Sequence, residues 1–338
     1  MDTTKKIKRQ LNIKPISEEE ANRRGVCILI SNIGSDNPTV TFINSLNNTI
    51  MTTTALGQIK AQQQLWAKRK GCILVSGTIG KNGEKSYFEK YDDNLFVTLS
   101  EISKKAFENG NGNELVDTKE RRAKMKALIS SSAIAVNFCQ YWETKKDISP
   151  LLQALGLIMD LEGLKFRFEE KLKIKKSGRY ANIDIAIENA QEIVAIESKF
   201  TEPYRSSKSK YEIKEVYKKA LKEEKIEGLL NLVENLSQFK HLDVPQLIKH
   251  ILALKTKVEQ GENKTFTLLY LWYDVLGKEG ARHREEIEKF KKLVWDEAHI
   301  KVKHITYQEV IRNLAKLLEN STDERDKDYI NYLTDRYL

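Results

Sequence analysis

The sequence is poor in cysteine and has no long apolar run. Its three cysteines, Cys27, Cys72 and Cys139, are well separated and form no Cys-x-x-Cys pair. This pattern argues against a disulfide framework and for reduced thiols, so we expect a cytoplasmic protein. No apolar run approaches the roughly 18 residues that a membrane-spanning helix needs. The basic start, MDTTKKIKRQL, leads into no apolar stretch of the kind found in secretory signals. We therefore expect no membrane partner.

Several signatures of common catalytic sites are also missing. The five histidines form no H-E-x-x-H or H-x-H pair, which argues against a zinc site. No G-x-S-x-G sequence marks a serine hydrolase. The stretch GTIGKNGEK (77–85) lacks the spacing of a phosphate-binding loop, and we interpret it as a hairpin turn.

The composition is that of an ordinary globular protein with a basic surface. Hydrophobic residues make up 40% of the chain and charged residues 31%, which is enough apolar material for a buried core. The net charge is +9. This balance favours a polyanionic partner such as nucleic acid, although many basic proteins bind none.

A Gly- and Asn-rich stretch, ENGNGNEL (108–115), predicts a linker and a domain boundary near residue 120. We expect an N-terminal α+β region over residues 1–120 and a second domain over 121–338. In the first region the pattern at 55–70 predicts a helix. Apolar, β-branched runs there predict strands at 25–31, 39–43, 72–79 and 94–99.

The second region predicts an α/β domain with a mixed sheet. Its first three strands have short connections, as hairpins do, and its last two alternate with helices, as parallel crossovers require. In chain order we predict a helix at 125–143, strands at 164–174, 182–188 and 192–200, helices at 209–236 and 245–259, a strand at 265–275, a helix at 283–298, a strand at 300–307 and a helix at 308–320.

The strand QEIVAIESKF (191–200) ends with charged residues after a buried apolar run. Side chains alternate along a strand, so Glu197 and Lys199 share a face. If Glu188 pairs with Ile193 in the preceding hairpin, the register places Asp184 opposite Glu197. Directly opposed residues share a face with Cβ atoms roughly 5 Å apart.

Two carboxylates held this close repel each other unless a positive charge lies between them. Oxygen ligands suit Mg²⁺, which takes one or two protein carboxylates and keeps its other positions for water and phosphate. Lys199, next on the same face, would position or help to deprotonate the attacking water, or neutralise charge on a phosphate. Alternatively, these charged residues lie at a solvated strand end and form no site.

A further carboxylate lies on the preceding strand, KFRFEEKLKI (165–174). Its alternation places Glu170 among apolar residues on one face, with Phe166, Phe168, Leu172 and Ile174. An acid on an apolar face costs energy unless it is paired or coordinated, so Glu170 is a candidate metal ligand. A bulge in the strand would substitute Glu169. Alternatively, Glu170 lies at the rim of the sheet and pairs with a lysine.

Asp184 and the E-S-K triplet of Glu197, Ser198 and Lys199 resemble the signature of the PD-(D/E)XK nuclease superfamily. The residue before Asp184 is Ile183 rather than proline, which departs from that signature. Blocks such as SSSAIAVNF, IESKFTEPY and TLLYLWYDV are similar to bacterial restriction-endonuclease-like proteins within the superfamily.

The resemblance implies a restriction-endonuclease-like core, with a central mixed β-sheet flanked by helices, that acts as the catalytic domain. It further implies that Asp184, Glu197 and the carbonyl of Ser198 bind Mg²⁺, with Mn²⁺ as a substitute, and that Lys199 is the catalytic base or an electrostatic partner. The expected activity is hydrolysis of DNA phosphodiester bonds that leaves 5′-phosphates, in restriction or another genome-defence task. Double-strand cleavage normally needs two active sites, so we expect a homodimer.

Two other functions stay open at this point. The same fold can serve a DNA-binding or assembly protein without catalysis, or a nuclease acting on RNA or on recombination junctions. For each of these functions, the N-terminal region would recognise the target, mediate assembly or extend the core.

Substrate contacts are harder to assign from the sequence. The segment 204–225 carries eight Lys or Arg against four Glu, and it would contact a DNA backbone or form a solvated helix face. Gln238, predicted on a later helix, is a weak candidate near the metal. The stretch KYDDNLF (90–96) would line a DNA cleft or form a turn.

Overall fold

The fold is described from a computed structural model. It covers residues 54–338 except 111, 146, 176, 206–211, 262–264 and 296–299, together with the backbone of three earlier strands. These strands form an antiparallel sheet in the order β1-β2-β3, and they comprise β1 (Val26–Ser31), β2 (Thr39–Asn44) and β3 (Thr49–Met51). The predicted strands at 25–31 and 39–43 are thus confirmed.

The region that follows is mostly irregular. Helix α1 (Ala55–Arg69) confirms the predicted helix, and the Thr54 hydroxyl caps it by accepting from the Gly57 amide at 3.1 Å. Strands β4 (Val75–Ser76) and β5 (Lys85–Tyr87) pair antiparallel, so GTIGKNGEK forms the predicted hairpin connection. Helix α2 (Glu101–Glu108), which the sequence patterns did not reveal, completes the region.

The strand predicted at 94–99 is wrong. Residues Asp92–Asn94 form a 3-10 turn, and an irregular segment follows it. The side-chain amide of Asn94 donates to the carbonyls of Met125 and Ala127 at 2.7 and 2.8 Å, which anchors the turn inside the protein. The apolar run that suggests a strand therefore packs against the core without a neighbouring strand to pair with.

The centre of the protein is a five-stranded mixed sheet in the order β10-β9-β8-β7-β6. The pairs β6–β7 and β7–β8 are antiparallel, whereas β8–β9 and β9–β10 are parallel. The predicted hairpins and crossovers are therefore confirmed. The strands are β6 (Lys165–Ile174), β7 (Arg179–Glu188), β8 (Glu192–Lys199), β9 (Thr265–Trp272) and β10 (Lys301–Thr306).

Helices cover both faces of this sheet. The bounds are α3 (Ser131–Glu143), α4 (Ser149–Ala154), α5 (Glu215–Glu223), α6 (Glu227–Val233), α7 (Val244–Glu259), α8 (Lys278–Trp295), α9 (Tyr307–Leu317) and α10 (Glu324–Tyr337). Helices α1, α3, α4, α9 and α10 bury apolar residues in one core, which we call the first core. Helices α5 to α8 bury theirs in the second core, on the opposite face.

The single long helix predicted at 209–236 is wrong in its described part. Lys225 adopts a left-handed conformation (φ 55°) between α5 and α6. There the Lys225 amide donates to the Lys222 carbonyl, and the Ile226 amide donates to the Leu221 carbonyl. This is the Schellman end of a helix, formed with a lysine where glycine is usual, so the sequence carries no obvious stop signal. Residues 206–211 lie outside the described part.

Residues from both sides of the predicted boundary contribute to the first core. Ala55, Ile59 and Phe107 are buried in it together with residues of α3 and of the sheet. The division into two domains near residue 120 stays a prediction. Cys72 and Cys139 are free thiols. Among the described residues, no helix has the length and apolarity needed to cross a bilayer.

Candidate active site

The hairpin of β7 and β8 has the register that the sequence predicts. Glu188 pairs with Ile193, and the pairing continues to Ile185 opposite Ile196. Asp184 and Glu197 are the next residues beyond that pair. The Asp184 carboxylate accepts a hydrogen bond from the backbone amide of Ser198 at 2.8 Å, across the two strands. The two strands therefore separate from regular pairing at the point where both carry an acid.

Strand β6 reverses its faces at the same level of the sheet. Glu169 has a left-handed backbone (φ 50°) and lies between the pairs Phe168–Ile185 and Glu170–Ile183. The expectation that the apolar residues of this strand share one face is wrong, since Phe166 and Phe168 pack in the first core and Leu172 and Ile174 in the second. A residue with positive φ turns the strand and exchanges its two faces.

The reversal separates the two neighbouring acids of β6. Glu170, the predicted additional ligand, forms an ion pair with Arg167 (Nε–Oε2, 3.1 Å), so its partner is an arginine rather than the lysine considered above. Glu169 is instead the β6 carboxylate that raises the pKa of Asp184. Burial, together with the charges of Glu114 and Glu197, raises the pKa of Glu169 to about 7. The structure thus brings Glu169, and not Glu170, to Asp184 and Glu197.

Glu197 is the most deeply buried of these acids, with 1% of its surface exposed. Its Oε1 contacts the Lys199 ammonium, as expected for two side chains on one strand face. Its Oε2 lies 2.6 Å from Nε2 of His250, a residue of α7. Burial alone raises the pKa of Glu197, but Lys199 and His250 outweigh burial and lower this pKa to about 2. Glu197 is therefore ionised at neutral pH.

The charge of Glu197 affects the pKa of Asp184 and that of Lys199. Burial and the negative charge of Glu197 raise the pKa of Asp184 well above its usual range, against the opposing effect of Lys199. Burial lowers the pKa of Lys199, but Glu197 and Asp184 raise it by more, so Lys199 is a cation at neutral pH. One lysine is thus shared by two acids that repel each other.

The donor set of this site is compatible with a divalent cation. Within the part of the chain that the structure describes, no group of three His, Cys, Asp or Glu side chains is arranged to hold a metal ion. Mg²⁺ does not require such a cage, because it usually takes one or two carboxylates and keeps several waters. Burial is the main cause of the raised pKa of Asp184 and of Glu169, and the negative charge of Glu197 raises both further. The residues fit a hard, oxygen-binding dication.

Further groups hold the end of β8 in place. The Glu202 carboxylate accepts from the amides of Phe200 and Thr201 at 3.0 Å each, and from the hydroxyl of Ser131 at the start of α3. On the other face of the strand, the Ser198 hydroxyl bonds the Tyr307 hydroxyl at 2.6 Å. The end of β8 is thereby anchored to α9, and the loop that follows it to α3.

Sequence reasoning missed His250 and Glu202. A single histidine on an amphipathic helix carries no motif, and only the packing of α7 over the sheet reveals its contact with Glu197. Glu202 lies in the quoted block IESKFTEPY, three residues after Lys199. Its acidic side chain directly after the strand was the available signal.

The other candidates lie apart from this set. Gln238 ends a 3-10 turn, not a helix, and contacts the ammonium of Lys289. In the described part of the basic segment, Lys218 pairs with Glu215 at 3.7 Å and Lys219 with Glu223 at 4.0 Å, as on a solvated helix face. The stretch KYDDNLF contains the 3-10 turn described above, of which only Asn94 is buried.

The mixed sheet, its flanking helices and the acids carried where β7 and β8 leave regular pairing define a restriction-endonuclease-like protein. A family model described as Restriction Endonuclease associating with ARP matches residues 60–338, and the chain belongs to this family. The family indicates a nuclease-like role. Comparisons with curated proteins and with solved structures found no match.

Proposed function

We propose that the protein is a Mg²⁺-dependent DNA endonuclease of the PD-(D/E)XK type, active also with Mn²⁺. The observation that carries this proposal is the convergence of Asp184, Glu197 and Lys199 where β7 and β8 leave regular pairing. Membership of a restriction-endonuclease family supports it independently.

Asp184 and Glu197 would hold the cation, with the Ser198 carbonyl as a further oxygen, and Glu169 takes the place first predicted for Glu170. When bound, the cation supplies Lewis-acid chemistry: it lowers the pKa of coordinated water and offsets charge on the phosphate. Because β8 is the central strand of the sheet, Glu197 and Lys199 are held on a rigid element. Such rigidity is what positioned charges need in order to favour a transition state.

Lys199 acts in this proposal as a cation and not as a base. The raised pKa keeps the proton on its Nζ at neutral pH, so the side chain donates hydrogen bonds. It would orient the attacking water and stabilise the additional negative charge that develops on the phosphate. Of the two roles that the resemblance implies for this lysine, we therefore favour the electrostatic one.

Plasmid cleavage tests the proposal. Supercoiled DNA is incubated with Mg²⁺ or Mn²⁺ and with wild type, Asp184→Asn, Lys199→Gln or the control Glu170→Gln. We expect the first two variants to lose cleavage by about 100-fold or more, the magnitude of a lost electrostatic group. DNA binding, followed by fluorescence anisotropy, should persist in them. Glu170→Gln should cleave like wild type.

The same assay can contradict the proposal. Cleavage by Asp184→Asn at the wild-type rate would exclude this site as the source of activity. If pure wild type cleaves no supercoiled, linear, single-stranded or branched DNA but binds it, the alternative of a non-catalytic DNA-binding or assembly protein is correct.

The biological setting is also a proposal. A role in restriction or genome defence, in the cytoplasm and as a homodimer, would agree with double-strand cleavage. The family description names an association with ARP, and we propose that this association is the setting in which the chain acts. Co-expression, followed by purification and cleavage with and without ARP, tests this.

A further inference from the structure

We propose that His250 is a positioning residue for Glu197. In this view the histidine holds one carboxylate oxygen so that the other is presented to the cation-binding end of the sheet. The inference rests on the proposed function, because it assigns Glu197 to cation binding. It adds a residue that lies outside the D…E-x-K signature.

The contact itself is short and fully enclosed. Nε2 of His250 lies 2.6 Å from Oε2 of Glu197, and 2% and 1% of the two residues are exposed. A carboxylate ion can only accept, so the hydrogen is on Nε2 of the imidazole. Hydrogen bonds to an ionised group in such surroundings are among the strong ones.

The histidine itself is rigidly placed. Helix α7 is anchored by Ile248, Ile251 and Leu252, which are buried in the second core beneath the sheet. Its first turn is capped by the Asp243 carboxylate, which accepts from the Gln246 amide at 3.0 Å. The imidazole therefore acts from a fixed point, 53 positions away from Glu197 in the sequence.

The two carboxylate oxygens of Glu197 have different partners, and for this reason the hydrogen bond from His250 can orient the carboxylate. Oε2 faces His250 on the helix side, whereas Oε1 contacts Lys199 at the end of the strand. Without the histidine, Oε2 would lose this partner, and the contact of Oε1 with Lys199 alone would oppose rotation of the carboxylate. Hydrogen-bonded partners that orient a metal ligand typically contribute 10- to 100-fold in metal affinity.

A merely structural histidine would also be buried and bonded, so the test must separate the two roles. His250→Gln keeps an N–H donor at about the distance of Nε2 from the backbone. His250→Asn carries the same amide on a side chain shorter by one methylene and cannot reach Oε2. His304→Asn is the matched control, since His304 forms a similar contact with Glu288 (2.7 Å) on a partly exposed surface.

Mn²⁺ affinity, measured by electron paramagnetic resonance, is the main readout, with the melting temperature of each variant beside it. We expect His250→Asn to bind Mn²⁺ about 10-fold to 100-fold more weakly than wild type. His250→Gln should stay within about 3-fold and rescue the loss, and His304→Asn should not change. The Mg²⁺ concentration for half-maximal cleavage should shift in the same order.

Four results would overturn the inference, the last of them only if His250→Asn does not fold. One is wild-type Mn²⁺ affinity in His250→Asn while Asp184→Asn has lost it, which leaves the proposed function intact. The second is equal weakening in His250→Gln and His250→Asn, which indicates a structural role. The third, wild type that binds no Mn²⁺ at all, refutes the proposed function as well. If His250→Asn does not fold, the affinity of His250→Gln decides: near wild type supports the inference, and a 10-fold loss refutes it.

Discussion

Glu169 and Asp184 stand opposite each other on β6 and β7, between the pairs Phe168–Ile185 and Glu170–Ile183. At this level both strands exchange the faces that they turn to the two cores. On β7, Ile185 packs in the first core and Ile183 in the second. Two acids thus occupy the one position where neither strand follows regular alternation, and both have a raised pKa.

The raised pKa of Glu169 predicts a pH-dependent stability. This pKa is about 7 in the folded protein, against an ordinary value of 4.5 for a glutamate. An acid whose pKa is raised by folding contributes stability that is complete below its pKa in the unfolded chain. This contribution is lost as pH rises through its pKa in the folded protein. Glu169→Gln removes this pH-dependent loss of stability, because glutamine does not ionise, and it leaves the backbone unchanged. The variant should gain about 1–2 kcal/mol in the free energy of unfolding relative to wild type between about pH 5 and pH 8.

Urea unfolding at several pH values measures this effect. Glu170→Gln is the matched control, because it changes the neighbouring acid and disturbs only the pair with Arg167. We expect no comparable gain in that variant as pH rises. A pH profile of Glu169→Gln parallel to that of wild type would contradict the placement of Glu169 in the cluster.

Divalent cations should stabilise the folded protein. A ligand that binds only the folded state adds RT ln(1 + [L]/Kd), which is about 1.4 kcal/mol at ten times the dissociation constant. Mg²⁺ or Mn²⁺ should therefore raise the melting temperature of wild type by about 2 °C or more, and not that of Asp184→Asn. The measurement is thermal unfolding at matched ionic strength. An equal rise in both proteins would locate cation binding elsewhere.

Lys199→Met should destabilise the protein in a pH-dependent manner. The ammonium is a partner of the buried Glu197, and breaking a buried ion pair from one side costs about 3 kcal/mol. The pKa of Glu197 is lowered to about 2, so the stability from its ionised form is present above the unfolded pKa and is lost as pH falls. The difference from wild type should thus shrink as pH falls from about 4.5 towards about 2. A constant difference over this range would argue against the pair.

Arg336 of α10 offers a stability test independent of any activity. Its guanidinium donates to Gln63 Oε1 (2.9 Å), to the Asn94 carbonyl (2.9 Å) and to the Leu128 carbonyl (3.2 Å), with 1% of the residue exposed. Arg336→Met leaves several buried acceptors without donors and should cost about 3 kcal/mol or more.

The comparison for this prediction is Arg325→Met on the exposed start of the same helix, which should change the free energy of unfolding by less than about 0.5 kcal/mol. Chemical denaturation of both variants decides the matter. Similar midpoints for the two would mean that the Arg336 contacts do not stabilise the fold.

Much of the sheet could be predicted because its signals are local. The apolar runs of β6 to β9, the short hairpin connection and the alternation along β8 predict the strands, the register from Glu188 and the shared face of Glu197 and Lys199. Helix α10 was missed, and the break at Lys225 was hidden, because a left-handed lysine leaves no glycine in the sequence.

By itself the sequence determined the strands of the central sheet, their hairpin and crossover connections and the acids of the hairpin, since side-chain periodicity and pairing register depend on neighbouring residues. Only the tertiary structure decided that Glu169 rather than Glu170 turns to Asp184, and that His250 reaches Glu197. The first depends on one backbone angle that breaks the alternation, and the second on a helix packed against the sheet from far along the chain. The periodicity of apolar residues in a sequence predicts neither a single φ value nor a long-range contact.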